Sequence, residues 1–418
     1  MQEIQIDSAI SWIPQNEPIG TLNYEQIRGN ISYRWIYALP WLQAHRGIRL
    51  GADILNVQGY QYRSNTIFSF LQDAMPDRWG RSLIDKRERL LARQEGRAVR
   101  TLLDIDYLCQ LDDKTRMGAL RLRTGQNYIG QYEEMPVPPL AKLNEFTQMA
   151  QAYEQQETNG GNIREEWIYN LYRQGSSLGG ARPKANVRDT DGTLLIAKIP
   201  SIHDDYDVAL WEHFALKLAQ RAGIEVAQTR LLQLPGQRYH TLLSRRFDRN
   251  GEERIHFASA MTLTGLQDGA DAGSGNGYLD IADAIIGDNG FADIHATLCQ
   301  LYRRIAYSIM IGNHDDHFRN HGFLLSPKGW IWSPAYDINP SDYREQSLLI
   351  SPNSNESSIG ELRGAAKYYQ LTATEADSII AEVSSAVRQW KKIAAQCGIS
   401  AAEQQRFAHR IEQTTFNL

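Results

Sequence analysis

The sequence predicts an α+β protein in which a strand-rich lobe precedes a helix-rich lobe. Two stretches carry that reading. The run Thr193 to Pro200 (TLLIAKIP), entered through the Asp191-Gly192 turn, has the signature of a buried strand leaving a hairpin. Near the C-terminus the period changes. Thr372 and Glu375 form a capping box ahead of Ala376, Ile379, Ile380, Val383, Val387 and Trp390, an apolar stripe at helical spacing, and Ser400 with Glu403 repeats the cap for a last helix.

Along the chain, the segment LQDAMPDRWGR, with Pro76, Trp79 and Gly80, reads as a shaped loop entering a helix marked by Ile84, Leu90 and Leu91. The alternating run GALRLRTG ends near Glu133 to Leu140 (EEMPVPPL), where three prolines set a domain boundary. Gln155 to Asn162 reads as a polar connector, and strand and turn are expected from about residue 165. DVALWEHFALKLAQRAG reads as a helix, with Ala209, Leu210 and Phe214 on one side and Gly223 just past its end. YHTLLSRRFDR follows as a strand, and residues 268–277 (DGADAGSGNG) as a loop flexible by composition.

The chain has 418 residues, 42% apolar and 22% charged, which excludes wholesale disorder and fibrous architectures. At about 150 residues per domain, two or three units are expected. No stretch reaches the roughly 18–20 apolar residues of a membrane span, and MQEIQIDSAISW lacks the n- and h-regions of a signal peptide. A cytoplasmic protein without membrane contact is therefore expected. Three separated cysteines, Cys109, Cys299 and Cys397, make neither a disulfide framework nor a thiolate metal site. A net charge of −5 argues against nucleic-acid binding by the whole surface.

The densest polar cluster is GNHDDHFRNHG, residues 312–322, directly after the helical stretch HATLCQLYRRIAYSIM. Downstream, a hairpin centred on Lys328 places Asp337 opposite Arg319 and beside Asn320. An amide and a carboxylate side by side, completed by waters and phosphate oxygens, suit Mg²⁺. Asp315, not needed for the metal, can then orient an attacking hydroxyl. Upstream, GSSLGGARPKA (residues 175–185) has the small residues that let backbone N–H groups approach phosphates. The Asp191-Gly192 hairpin brings Lys198 across from Lys184 and Ala185. A lysine on a buried strand calls for an anion, so Lys198 reads as a phosphate ligand and Glu212 as its candidate partner.

In their order, LQDAMPDRWGR, the Thr115 to Leu120 segment, SSLGGARPKA, LLIAKIP, RRFDR, GNHDDHFRNHGFL and SPAYDINP make the chain resemble the HipA family of serine/threonine protein kinases, toxins of bacterial toxin–antitoxin pairs. The resemblance runs from about residue 65 to 340. It implies a two-lobed protein-kinase-like fold with an additional N-terminal subdomain: residues 1–135, then an N-lobe at 136–250 and a helical C-lobe at 251–418. It implies Asp315 as catalytic base, His317 positioning the loop or meeting the γ-phosphate, and Asn320 and Asp337 on Mg²⁺. It places Ser177, Gly179, Gly180, Ala181, Lys184, Lys198, Arg246 and Phe247 on ATP. It also implies autophosphorylation at Ser177, with Ser176 the lesser candidate. The implied partners are a protein substrate such as an aminoacyl-tRNA synthetase and a DNA-binding antitoxin of the HipB type, DNA being reached through the antitoxin. The H-R-D and D-F-G wording of protein kinases is missing: His314 precedes the base and Ile338 follows Asp337.

Blander readings stand beside these. Asp315, Asn320 and Asp337 are residue types that collect in caps and turns, and Ser176 and Ser177 can be plain loop hydroxyls. His314, His317 and His321 could ligate a transition metal or act as hydrogen-bonded scaffolding. Glu212 fits a solvated helix face. Arg245, Arg246 and Arg249 read as a strand-end surface before a nucleic-acid patch. The rival functions are a small-molecule or lipid kinase and a catalytically silent repressor-complex subunit.

Overall fold

In the computed structural model, residues 2–27, 29–76, 78–131, 137–160, 164–175, 182–287 and 290–416 are described. They form two compact units. One combines residues 1–49, 53–207 and 229–257; the other combines 50–52, 208–228 and 258–418. The first unit takes in residues on both sides of the boundary expected at 135.

The first unit opens with an antiparallel sheet ordered Gln61–Ser64, Asn30–Tyr37, Glu17–Ile27, Gln2–Ser8, Leu120–Thr124 and Asn127–Tyr128. Alternation sends Ile4, Ile6, Leu22, Tyr33 and Trp35 inward. A second antiparallel sheet runs Lys184–Arg188, Leu194–Lys198, Thr241–Arg245, Thr229–Leu232. One of its faces, carrying Ala185, Val187, Leu195, Ala197 and Leu243, packs on apolar residues of the helices Arg78–Gln94, Leu143–Thr158 and Glu165–Gly175. The opposite face is left with Lys184, Asn186 and Lys198, by the same period of two.

Three expectations need correction here. Up to Thr158 the supposed connector is the end of the helix Leu143–Thr158, because Gln and Glu are good helix formers and polarity alone does not make a loop. Residues from 165 begin not a strand but the helix Glu165–Gly175, whose Ile168, Leu171 and Tyr172 are buried at helical spacing. Arg246 and Arg249 are not a surface patch. Arg246 is 2% exposed and Asp248 fully buried. Asp248 accepts from Arg246 Nε at 2.7 Å, from Arg249 Nη1 at 2.6 Å and from the Gly118 N–H at 2.8 Å. Arg245, one residue earlier, is exposed as expected.

The second unit is built around the helix Ile294–Ile311, whose last turns are wholly buried. Val208–Arg221 lies against it, with Tyr307 Oη donating to the Ala215 carbonyl at 2.5 Å. Gly223 takes the left-handed conformation that ends this helix. The capping boxes at Thr372/Glu375 and Ser400/Glu403 form as the sequence predicts. They open the helices Ala373–Val387 and Ala401–Phe416, and every residue of the predicted stripe is buried. Residues 268–277 are closed by local bonds: Asp271 Oδ1 accepts the Ser274 N–H at 3.0 Å and caps a 3₁₀ turn, Ala272–Ser274. Composition missed this because an Asx cap needs one aspartate at the right offset.

Candidate functional site

The expected site residues fall in two groups, one in each unit. In the second unit, Gly312 ends the helix Ile294–Ile311 in the left-handed conformation, φ 80°. A Cβ there would stand 3.1 Å from Arg410 Cγ and 3.2 Å from the Ser341 carbonyl oxygen, so the turn is closed to other residues on two grounds. Asn313, His314 and Asp316 are then buried, while Asp315 between them is exposed.

The buried neighbours are tied down individually. His314 Nδ1 meets Ser341 Oγ at 2.9 Å, its Nε2 accepts from Arg410 Nη2 at 2.9 Å, and its carbonyl accepts from both the N–H and the Oγ of Ser347. Burial first, and the Arg410 charge second, bring the His314 imidazole down to about 4. Asp316 accepts from Tyr278 Oη at 2.8 Å and Ser308 Oγ at 2.9 Å, and pairs with His321 Nε2 at 3.1 Å. Burial pushes its carboxyl up, but His321 and these hydroxyls outweigh burial and hold it below the usual range. His314 and His321 thus face different partners, and among the described residues no group of three or more His, Cys, Asp or Glu converges as a metal cage. His317 is half-buried at the entry to the 3₁₀ turn Phe318–Asn320.

Asn320 donates from Nδ2 to the Asp315 carbonyl at 2.9 Å, which turns its Oδ1 the other way. The hairpin that was expected to deliver Asp337 has a different register. Phe323 pairs with Trp332 and Ser326 with Gly329, so the turn holds two residues, Pro327 and Lys328, and is not centred on Lys328. The chain then leaves the ladder, and Ala335 bridges to Val226. Tyr336, the residue before Asp337, donates from Oη to the Arg319 carbonyl at 2.6 Å, so its side chain reaches the segment that carries Asn320. Asp337 is half-buried with φ 57°, a left-handed conformation that Asp tolerates better than most residues. Its N–H donates to Glu212 Oε1 at 3.2 Å and its Oδ1 accepts from Asn339 Nδ2 at 3.2 Å. Glu212 is 4% exposed, so it is not a solvated glutamate. The Asn320 amide oxygen and the Asp337 carboxylate are hard oxygen donors, the type that Mg²⁺ takes together with waters and phosphate oxygens.

In the first unit, Lys198 pairs directly with Lys184 across the hairpin, as its turn predicts. The two ammonium groups share the sheet face opposite the apolar core. Arg182 forms an ion pair with Asp204. Arg246, expected on the nucleotide, spends its guanidinium internally on Asp248, the Thr115 carbonyl and Asn186 Oδ1, which leaves that side chain no nucleotide to hold. Phe247 is half-buried, its ring 5.9 Å from that of Phe257. Ser176, Ser177, Gly179, Gly180 and Ala181 lie outside the described residues.

Comparison with known proteins fits this arrangement. A chain of the solved complex of Shewanella oneidensis HipA, HipB and operator DNA superposes with a TM-score of 0.70, over 99% of this chain and 96% of that one, at 16% identity. The chain therefore shares the fold of that HipA complex chain, a mixed α+β architecture. The profile of the HipA-like C-terminal domain matches residues 176–391, more than half of the chain, and that of the HipA N-terminal domain matches residues 12–123. The chain belongs to the HipA family. Among named proteins, the serine/threonine-protein kinase toxin HipA of Shewanella oneidensis is 24% identical over 194 residues, and a Haemophilus influenzae protein with a kinase name is 26% identical over 209. These matches take in 44% and 58% of the relatives' lengths and 40% and 43% of this chain. Among the described residues no helix is long and apolar enough to cross a membrane.

Sequence reasoning missed Arg410 and the opposite fates of Asp315 and Asp316. The second had a signal, since adjacent residues on an extended loop cannot both point the same way.

Proposed function

We propose that this chain is an ATP-dependent serine/threonine protein kinase that acts as the toxin of a toxin–antitoxin pair, with residues 1–135 as an appended subdomain. The observation that supports it best is the exposed Asp315 between two pinned neighbours, on the loop that also carries Asn320. Asp315 takes the proton of the attacking hydroxyl, or orients that hydroxyl for in-line attack on the γ-phosphate. Asn320 Oδ1 and the Asp337 carboxylate hold Mg²⁺, which neutralises charge on the triphosphate. Lys198 and Lys184 are the proposed contacts to phosphate oxygens, with Ser177, Gly179, Gly180 and Ala181 as further proposed nucleotide contacts and Phe247 for the base. His317 steadies the loop, and Glu212 holds Asp337 through its backbone. The transferred phosphoryl goes to a protein, an aminoacyl-tRNA synthetase being the expected class, and to Ser177. A HipB-type antitoxin is the expected partner, with DNA contacted through it; the likeness to a chain of a HipA–HipB–operator complex supports this.

Incubation with Mg²⁺ and γ-labelled ATP, followed by intact-mass and peptide mapping, tests the reading. Label is expected on protein, including the 175–185 peptide. Asp315→Asn is expected to lower transfer by about 10²–10⁴-fold with ATP affinity nearly intact. Transfer to a metabolite or lipid, or none at all, overturns the protein-kinase reading, and an unaffected Asp315→Asn removes the base.

A further inference from the structure

The C-terminal helix Ala401–Phe416 lies wholly beyond the matched domain, which stops at residue 391. It nevertheless reaches the loop that carries Asp315. Its inner face buries Phe407, Ala408 and Ile411, and Phe407 meets Trp211 edge-on with ring centroids 4.7 Å apart. Thr414 Oγ1 donates to the Met310 carbonyl at 3.0 Å, at the last turn before Gly312. One turn earlier on the same face, Arg410 Nη2 donates to His314 Nε2, and Arg410 Cγ fills the space where Gly312 lacks a side chain.

We infer that Arg410 is a positioning residue for the Asp315 loop, acting through His314. This rests on the proposed kinase reading for its consequence in turnover, but the contact itself does not. A guanidinium cannot accept, so the Arg410 bond requires a lone pair on His314 Nε2. That leaves the proton on Nδ1, aimed at Ser341 Oγ, which in turn donates to the Gly312 carbonyl at 3.3 Å. The ring is thereby fixed in one tautomer and one orientation between the C-terminal helix and the segment after Asp337. Asp315, the next residue, inherits that placement. Arg410 is itself surrounded by charge from this segment, with Arg344 and Asp342 both acting on it. A His314–Ser341–Gly312 relay without Arg410 keeps its hydrogen bonds but loses the group that selects the tautomer.

The test uses the full chain as Arg410→Ala, Arg410→Lys and Thr414→Ala. Amide hydrogen exchange over residues 312–317 reads the clamp without turnover. Arg410→Ala is expected to speed exchange there by about tenfold, equal to about 1.4 kcal/mol of lost local protection. Arg410→Lys, which keeps a donor, is expected to restore most of it. Thr414→Ala, which loosens the same helix without touching His314, is expected to leave it near wild type. Exchange in Arg410→Ala equal to wild type, or an equal rise in Thr414→Ala, overturns the inference. In turnover, Arg410→Ala is expected to lower kcat by about tenfold with KM for ATP little changed, as a misplaced catalytic group does. A wild-type chain that transfers no phosphate defeats the kinase reading and leaves the exchange result to decide the clamp.

Discussion

Asp248 in the first unit and Asp316 in the second are both buried carboxylates, and their surroundings differ. Asp248 in the first unit sits between two guanidiniums, Arg246 and Arg249. Burial is the largest influence on it and pushes its carboxyl up, yet the two arginines together hold it far below the usual range. Asp316 in the second unit is met by Tyr278, Ser308 and His321. Fixed charge suits a cluster that ties the 113–118 turn to the end of a strand and has no geometry to transmit. Directed hydroxyls suit a residue whose neighbour must point one way.

Removing the carboxyl charge separates the two. Asp248→Asn strands two buried arginines and is expected to destabilise the chain by about 3–5 kcal/mol, read from the midpoint of urea unfolding. A loss under about 1 kcal/mol breaks the contrast, since it means the arginines find water or other acceptors. Asp316→Asn leaves mostly neutral partners and is expected to lose about 1–3 kcal/mol. Its effect on phosphoryl transfer should exceed its effect on stability, because Asp315 moves with it. Transfer at the wild-type rate in Asp316→Asn would show the carboxylate to be packing alone.

Acid gives the most graded effect. His314 binds its proton near 4 in the folded chain and near 6.5 when unfolded. Between those values the unfolded chain holds more protons, so stability present above pH 6.5 is lost as the pH falls toward 4. Unfolding midpoints of wild type and His314→Asn, compared across that window, should converge as the pH drops. Parallel curves would mean that His314 is open to protonation in the fold.

Much of this was readable beforehand where local chemistry decides. The Asp191-Gly192 signal announced the hairpin that brings Lys198 opposite Lys184, because turn chemistry is local, though its loop holds three residues, Thr190 to Gly192. The capping boxes formed for the same reason. The Pro327-Lys328 hairpin was misplaced by one residue, since Ser326, Pro327, Lys328 and Gly329 allow a turn of two or three residues. The contact that ties the Asp337 segment to the Asn320 loop, Tyr336 Oη to the Arg319 carbonyl, lies outside any ladder. Arg246 was misassigned because RRFDR does not announce that its own aspartate turns back on it. Arg410 stands ninety-six positions from His314, and no periodicity connects them.

The left-handed backbone at Asp337 carries a cost that is independent of chemistry. Glycine or asparagine would sit there more easily, by something on the order of 1 kcal/mol, and would also lift one carboxylate away from Glu212. Selection for heat resistance alone therefore pulls this position toward residues without a carboxylate. Laboratory evolution for robustness, run without a screen for phosphoryl transfer, should drift into well-folded chains that have lost the carboxylate proposed to hold the metal. The trade-off between stability and activity is set here by a single dihedral angle.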